Sequence, residues 1–257
     1  MPLPESAQVH VPPKLATDLL RAAKKLPSYD DDALYDVNLQ AAVREQIRTS
    51  TGDGFDWLVE EIRSRLSQRP YFAYVTGLQF DDSNLVLVSL AGAFGDAVDL
   101  YNQSESRIVR HVVPSKDVVV PDWGVITTVL HTDSPGWPQP NAITGLVCVR
   151  PDQNGGGCSR LLDIDTLRVE LDRRFGQEVL GILHTEPVPW SIDDELGGGV
   201  IRTPVFTANR VRWLGYMINR ALEKTQETLP EPVSASLEAM EQFLKEPRGV
   251  IEFLMAP

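Results

Sequence analysis

The chain has 257 residues, of which 42% are hydrophobic, so it can bury a substantial core and has the composition of an ordinary globular protein. Its formal net charge of −12 gives no electrostatic support for binding a phosphate backbone, which argues against a nucleic-acid partner. Its two cysteines cannot form a disulfide framework, and no apolar run resembles a signal sequence or a membrane span, so a cytoplasmic protein without a membrane partner is expected.

The first hundred residues are predicted to be largely helical. Leucine and alanine recur at helical spacing in the first predicted helix, and Pro27 ends it. The second helix has the clearest amphipathic stripe of the chain. In chain order, the predicted elements are a helix over 15–26, a helix over 55–66, a strand over 71–76 and a helix over 87–94.

After residue 107 the pattern changes to short β-branched runs separated by Pro, Gly, Asn and Asp. A helix is predicted over 165–175, with Asp165 as its cap and Gly176 as its stop, and another over 237–244. The predicted strands are 108–113, 124–131, 142–149, 188–192, 200–206, 210–217 and 249–255. This order favours an α+β fold with a double-sheeted jelly-roll core over a parallel βαβ sheet. A single domain over 1–257 is predicted, with a helical part over 1–100 and the jelly-roll core over 101–257.

The stretch from Gly124 to Asn141 carries the chemistry. Because side chains alternate across a strand, Thr127, His131 and Asp133 share one face if the strand persists through residue 133. An imidazole nitrogen and a carboxylate oxygen at this spacing can bind one Fe(II), Mn(II) or Zn(II) ion. In the 2-His-1-carboxylate triad, such a pair takes two positions on iron and a distant histidine takes a third. His-x-Asp also arises by chance, as a histidine bonded to a carboxylate in a turn, so its surroundings decide between the two interpretations.

The residues around this motif form a longer pattern. His131-Thr132-Asp133 ends an apolar run and is followed by a Pro- and Gly-rich loop over 134–140, a predicted strand, the glycine loop 154–159 and the run 161–165. This progression resembles the taurine dioxygenase/clavaminate synthase-like family of Fe(II)/2-oxoglutarate-dependent oxygenases. The resemblance covers nearly the whole chain, and its most specific part is 128–163.

The resemblance implies a double-stranded β-helix (jelly-roll) core with N-terminal and inserted helices, and it implies roles for individual residues. His131 and Asp133 match the first two iron ligands of the family. Ser159 matches a Thr or Ser whose hydroxyl contacts 2-oxoglutarate, and a turn residue bonded to its own backbone is the alternative for it. Thr127 and Trp137 are candidates for lining the substrate pocket, with structural packing as the alternative for each.

The match stops short of the family's C-terminal residues. There the family has a third ligand, a histidine, and an arginine that pairs with 2-oxoglutarate, whereas no histidine follows His184 in this sequence. An incomplete version of an active oxygenase is therefore expected. A naturally short pseudoenzyme and a site completed by another histidine are the alternatives. His184 repeats the ligand spacing with Glu186, but packing is its expected role, and His10 and His111 are weaker candidates.

The function implied by the resemblance is hydroxylation of an unactivated C–H bond in a small polar molecule, such as an amino acid or a natural-product intermediate. Fe(II) is the implied cofactor, 2-oxoglutarate the co-substrate and O2 the oxidant. A carboxylate at position 133 argues against the related halogenases, which have a small residue there. Arg202, Arg210 and Arg212 are candidates for binding a substrate carboxylate, and none of them stands out. The alternative function is that of a catalytically inactive ligand-binding protein on the same scaffold.

Overall fold

The computed structural model of the protein describes residues 2–30, 32–96, 108–109, 130–151, 157–192, 194 and 197–255. Its helices are α1 (Pro13–Ala23), α2 (Val37–Thr51), α3 (Asp53–Leu66), α4 (Leu85–Gly92), α5 (Ile164–Phe175), α6 (Gln177–Thr185), α7 (Gly215–Thr225) and α8 (Glu231–Lys245). Its strands are β1 (Gln8–His10), β2 (Tyr74–Thr76), β3 (Cys158–Leu161), β4 (Val188–Ser191), β5 (Val200–Thr203), β6 (Phe206–Thr207), β7 (Arg210–Val211) and β8 (Ile251–Leu254). No helix in these ranges combines the length and apolar character needed to span a membrane.

The strands pair in twos. β1 and β2 are parallel, whereas β3 with β8, β4 with β5, and β6 with β7 are antiparallel. Among the described residues, no sheet has more than two strands. The mixture of helices and small sheets confirms the predicted α+β class. These pairings do not show a jelly roll, which stays a prediction.

The chain divides into two compact units. The N-terminal unit contains α1 to α4 with β1 and β2, together with residues 147–150. The C-terminal unit contains the described residues of 130–146 and 151–255, with α5 to α8 and β3 to β8. The single domain predicted over 1–257 stays a prediction.

The N-terminal unit is built around amphipathic helices. Pro13 occupies the first turn of α1, where its missing N–H costs no hydrogen bond, and the helix ends ahead of Pro27 as predicted. The stripe on α3 is buried, which confirms that helix. α2 is not among the predicted elements. It begins after Asp36, whose side chain accepts the backbone N–H of Asn38 at 2.8 Å, and it buries only three side chains, Gln40, Val43 and Ile47.

The strand predicted over 71–76 is shorter than expected, because only Tyr74–Thr76 pairs with β1. In this pair His10 lies opposite Thr76, and His10 Nδ1 and Thr76 Oγ1 are 3.1 Å apart. His10 is therefore part of a parallel strand pair.

The first helix of the C-terminal unit, α5, has a side-chain cap at its N-terminus. Asp163, in extended conformation, accepts the backbone N–H groups of Asp165 and Thr166 at 3.1 and 3.0 Å. Asp163 is therefore the cap of α5, and the prediction of Asp165 is wrong by two residues, since Asp165 already lies inside the helix. Gly176, at φ 90°, ends α5 as predicted.

The core of this unit combines helices with the β4–β5 pair. Trp190 is fully buried, and its indole N–H donates to the carbonyl of Thr203 across the pair at 3.0 Å. Phe206 and Phe243 are equally buried. The predicted strands at 188–192 and 249–255 and the predicted helix at 237–244 are confirmed as β4, β8 and α8.

Two predicted strands are wrong. Residues 142–149 form no strand, and Leu146 is 72% exposed, because β-branched composition favours a strand only where a neighbouring strand supplies hydrogen bonds. The strand predicted over 210–217 ends at Val211, and α7 begins at Gly215. Residues 124–129 and most of 108–113 lie outside the described residues.

Candidate metal-binding site

The two predicted ligands lie together. His131 Nε2 and Asp133 Oδ1 are 3.7 Å apart, and their side chains are 38% and 47% exposed. The residue between them, Thr132, is half-buried. This alternation directs the imidazole and the carboxylate toward solvent on either side of an inward-facing threonine. The two side chains are therefore close together and accessible, but the strand on which the predicted shared face depends is absent, since Leu130 to Asp133 are not in a strand.

Thr132 is hydrogen-bonded to the segment between β7 and α7. Its backbone N–H donates to the carbonyl of Trp213 at 2.8 Å. Its hydroxyl oxygen accepts the backbone N–H of Trp213 at 2.9 Å. The two bonds run in opposite directions between the same two residues, so they fix both the position and the orientation of the peptide that links the two candidate ligands.

The loop that follows is held by a buried arginine. Arg212, only 9% exposed, donates from Nη1 to the carbonyls of Pro135, at 2.9 Å, and of Trp137, and from Nη2 to the carbonyl of Pro138 at 3.1 Å. Burial, with a smaller contribution from the charge of Arg210, lowers the pKa of Arg212 below its ordinary value. Three carbonyl dipoles offset part of the cost of burying this cation.

The same loop turns sharply and passes close to β4. Ser134 has a positive φ of 51°, and the N–H of Trp137 donates to its carbonyl at 3.1 Å. Gly136 is buried so close to Ser191 that a Cβ there would overlap the Ser191 carbonyl oxygen. Only glycine fits at this position, so the sequence dictates the approach of the loop to the core.

The donor pair fits a transition-metal ion. Nitrogen and oxygen ligands stand at about 2.1 Å from such an ion and, at right angles on it, about 3 Å from each other. The 3.7 Å between His131 Nε2 and Asp133 Oδ1 exceeds that value by less than about 1 Å, and both side chains are exposed. Among the described ranges, no group of three His, Cys, Asp or Glu side chains surrounds a common point, so no third candidate ligand joins His131 and Asp133 there.

The remaining predicted site residues have separate locations. Ser159 lies in β3 opposite Phe253 of β8, half-buried and on the face that it shares with Leu161. It is therefore in a strand, which overturns the alternative of a turn residue. Trp137 is half-buried in the loop held by Arg212, and Thr127 lies outside the described residues.

The other histidines have structural surroundings or are not described. His184, in the last turn of α6, stacks on Phe206 with ring centroids 5.1 Å apart. Burial, and secondarily the charge of Arg168, lowers its pKa. This confirms packing as the role of His184. His10 belongs to the N-terminal unit, and His111 lies outside the described residues.

Two of the three candidate arginines bind groups of the protein itself. Arg202 is paired with Glu227, and Arg212 holds the loop carbonyls. Neither arrangement is that of a free substrate-binding cation, so the interpretation of Arg212 as a substrate ligand is wrong. Its role as a loop clamp has no signal in local sequence, because its partners are more than 70 residues away.

No model of a known protein family matches the sequence, and no curated protein shows significant similarity to it.

Proposed function

We propose that the protein is an Fe(II)- and 2-oxoglutarate-dependent oxygenase that hydroxylates an unactivated C–H bond of a small polar molecule. The observation that carries the proposal is the convergence of His131 and Asp133 on a loop held in place on both sides. A histidine and a carboxylate in this relation are two members of the facial triad used by non-haem iron oxygenases. The small-molecule substrate follows from the resemblance to the taurine dioxygenase/clavaminate synthase-like family.

Each residue has a defined task in this proposal. His131 Nε2 and one Asp133 oxygen hold the iron, and a further ligand completes the triad. The Ser159 hydroxyl donates to a carboxylate of 2-oxoglutarate. When bound, iron with 2-oxoglutarate and O2 would supply the oxidising power, while the chain fixes the geometry of its two ligands. Trp137, which is half-buried, lines the substrate side, and Thr127, which lies outside the described residues, is assigned to the same side by the resemblance.

The proposal includes a double-stranded β-helix for the core over 101–257. The antiparallel pairing of β3 with β8 supports it, because this pair joins segments that are about 90 residues apart in the chain, as Arg160 and Glu252 are. The β4–β5 pair adds a second antiparallel ladder to the same unit. Long-range antiparallel pairs of this kind are the components of a jelly roll.

The test is anaerobic titration of the protein with Fe(II) and 2-oxoglutarate. A metal-to-ligand charge-transfer band is expected for the unmodified chain, and it should be lost in His131→Gln and Asp133→Asn. Glu178→Gln, which removes an exposed carboxylate from the first turn of α6, is the matched control and should keep the band. Absence of the band in the unmodified chain, or its persistence in both ligand variants, overturns the proposal.

Oxygen addition then separates the enzyme from its alternative. Formation of succinate with candidate substrates supports the oxygenase. A charge-transfer band without oxygen consumption supports a catalytically inactive binding protein on the same scaffold. The specific observation that favours this second function is that only two ligands converge among the described residues, and two ligands suffice to bind a metal weakly.

A further inference from the structure

The loop over 131–138 is called the candidate metal loop below. The segment Arg212-Trp213 forms hydrogen bonds with four residues of this loop. Trp213 exchanges backbone and hydroxyl hydrogen bonds with Thr132, and Arg212 donates to carbonyls on the far side of Asp133. The backbone of Arg212 is itself fixed, because its N–H donates to the carbonyl of Val205 at 2.8 Å. The segment Arg212-Trp213, called the clamp below, is thus anchored to the core of the C-terminal unit.

The bonds bracket the two candidate ligands. Thr132 lies between His131 and Asp133, so its bonds to Trp213 control the backbone of both. Arg212 holds the loop from Pro135 to Pro138, beginning two residues after Asp133. None of these bonds uses the imidazole or the carboxylate of the pair. These bonds therefore act on the backbone of the two candidate ligands.

We propose that Thr132 and Arg212 are positioning residues that set the His131–Asp133 geometry before a metal ion binds; this inference rests on the proposed function. A free loop must lose conformational freedom when its ligands close on an ion, and this loss weakens binding. A loop fixed in advance has already lost that freedom during folding. Metal affinity is then governed by bonds that never touch the metal, as is common for groups surrounding metal ligands.

The sharpest test compares two substitutions of Thr132 by titration with Co(II), an oxygen-stable probe with a ligand-field absorption spectrum. Thr132→Val keeps the shape of the side chain but removes the acceptor for the Trp213 N–H. Thr132→Ser keeps the acceptor. Thr132→Val is expected to bind Co(II) about 10- to 100-fold more weakly than the unmodified chain, and Thr132→Ser within about threefold of it.

Two readouts distinguish positioning from a merely stabilising role. Titrations are made well below the unfolding temperature of every variant, so a change in stability alone leaves the affinity unchanged. The Co(II) spectrum at saturation should also differ between Thr132→Val and Thr132→Ser, because the ligand geometry differs. Equal affinities and identical spectra overturn the inference.

Arg212→Lys provides an independent variant where Thr132→Val does not fold. A lysine keeps the buried charge but lacks the planar fork that reaches several carbonyls, so a similar loss of Co(II) affinity is expected. Gly145→Ala is the control and should bind Co(II) normally, because a Cβ at Gly145 meets nothing within 4 Å. An unchanged affinity in Arg212→Lys overturns the role of Arg212.

The outcomes also separate this inference from the function on which it rests. If the unmodified chain binds no Co(II), or if His131→Gln and Asp133→Asn bind it as well as the unmodified chain, the proposed site is wrong. If those two variants lose Co(II) while Thr132→Val and Arg212→Lys keep it, the site stands and the positioning role fails.

Discussion

The closest contact between the candidate metal loop and the core is at Gly136, and Gly136→Ala should disrupt it. The added Cβ would overlap the carbonyl oxygen of Ser191 and lie 3.1 Å from its carbonyl carbon. Both are backbone atoms of β4, which is paired with β5 and cannot yield as a flexible side chain does. To bring the overlapping Cβ and carbonyl oxygen to an ordinary van der Waals separation of about 3.3 Å, the loop must therefore withdraw by roughly 1 Å.

That displacement has two costs. Overpacking of a buried position costs about 1–3 kcal/mol. A withdrawal of this size also stretches the bonds from Arg212 to the loop carbonyls, now 2.9 and 3.1 Å for Pro135 and Pro138, and weakening a hydrogen bond from a charged donor costs about 1 kcal/mol or more. Withdrawal of the loop relieves the overlap while it stretches the hydrogen bonds, so the two costs do not add in full. We therefore expect Gly136→Ala to lower the free energy of unfolding by about 2–3 kcal/mol.

The assay is urea denaturation followed by circular dichroism, with Gly145→Ala as the control. Gly145 lies in the same part of the sequence, and a Cβ there meets nothing within 4 Å, so its replacement should change the free energy of unfolding by less than about 0.5 kcal/mol. The denaturant slope should be the same in both variants. A Gly136→Ala protein as stable as the control would refute the close approach of the loop to β4.

Three further changes test the surrounding structure. Ser89→Ala should raise the free energy of unfolding by about 1 kcal/mol in urea denaturation, because the fully buried Ser89 hydroxyl has no hydrogen-bond partner among the described residues; destabilisation would contradict this. Asp163→Ala should lower it by about 1 kcal/mol through loss of the α5 cap, and Asp163→Asn should lose much less. In the folded chain the pKa of His184 is lowered from its ordinary value of 6.5, so the folded state binds fewer protons than the unfolded state. The contribution of His184 to stability is therefore present above pH 6.5 and is lost as pH falls through the folded pKa. His184→Phe, which retains an aromatic ring against Phe206, should abolish this part of the pH dependence between pH 7.5 and 5.5, and an unchanged profile would exclude His184 as its source.

Helices whose apolar stripe is wide were predictable from the sequence. The stripe of α3 buries Phe55, Leu58, Val59 and Ile62, so its period is visible in the residues themselves. α2 buries Gln40, Val43 and Ile47, and one of these three is polar. Its signal is a cap at Asp36 and a stop at Gly52 rather than a hydrophobic pattern, and those two residues could have identified it.

Strands were predictable only where their partners exist. Val188–Ser191 is apolar and has β5 beside it, so composition and structure agree. Residues 142–149 have the same kind of composition but form no strand. The predicted strand over 210–217 includes 215–217, yet Met217, Ile218 and Ala221 are buried at helical spacing in α7. Composition reports what a residue favours, whereas pairing depends on segments far away in the chain.

The candidate site divides in the same way between local and long-range information. The motif at 131–133 is local, so the sequence alone is enough to propose both ligands. What makes the pair converge is the clamp, whose members are 81 residues apart for Thr132 and Trp213 and 77 for Pro135 and Arg212. A chain with the same His-Thr-Asp motif but without Arg212 and Gly136 would present the same two ligand types on a loop that lacks these hydrogen bonds and this close contact with β4. The more discriminating signature is therefore composite: a hydroxyl residue between the ligands, a glycine three residues after the carboxylate, and an arginine some 80 residues further on that can reach the loop carbonyls.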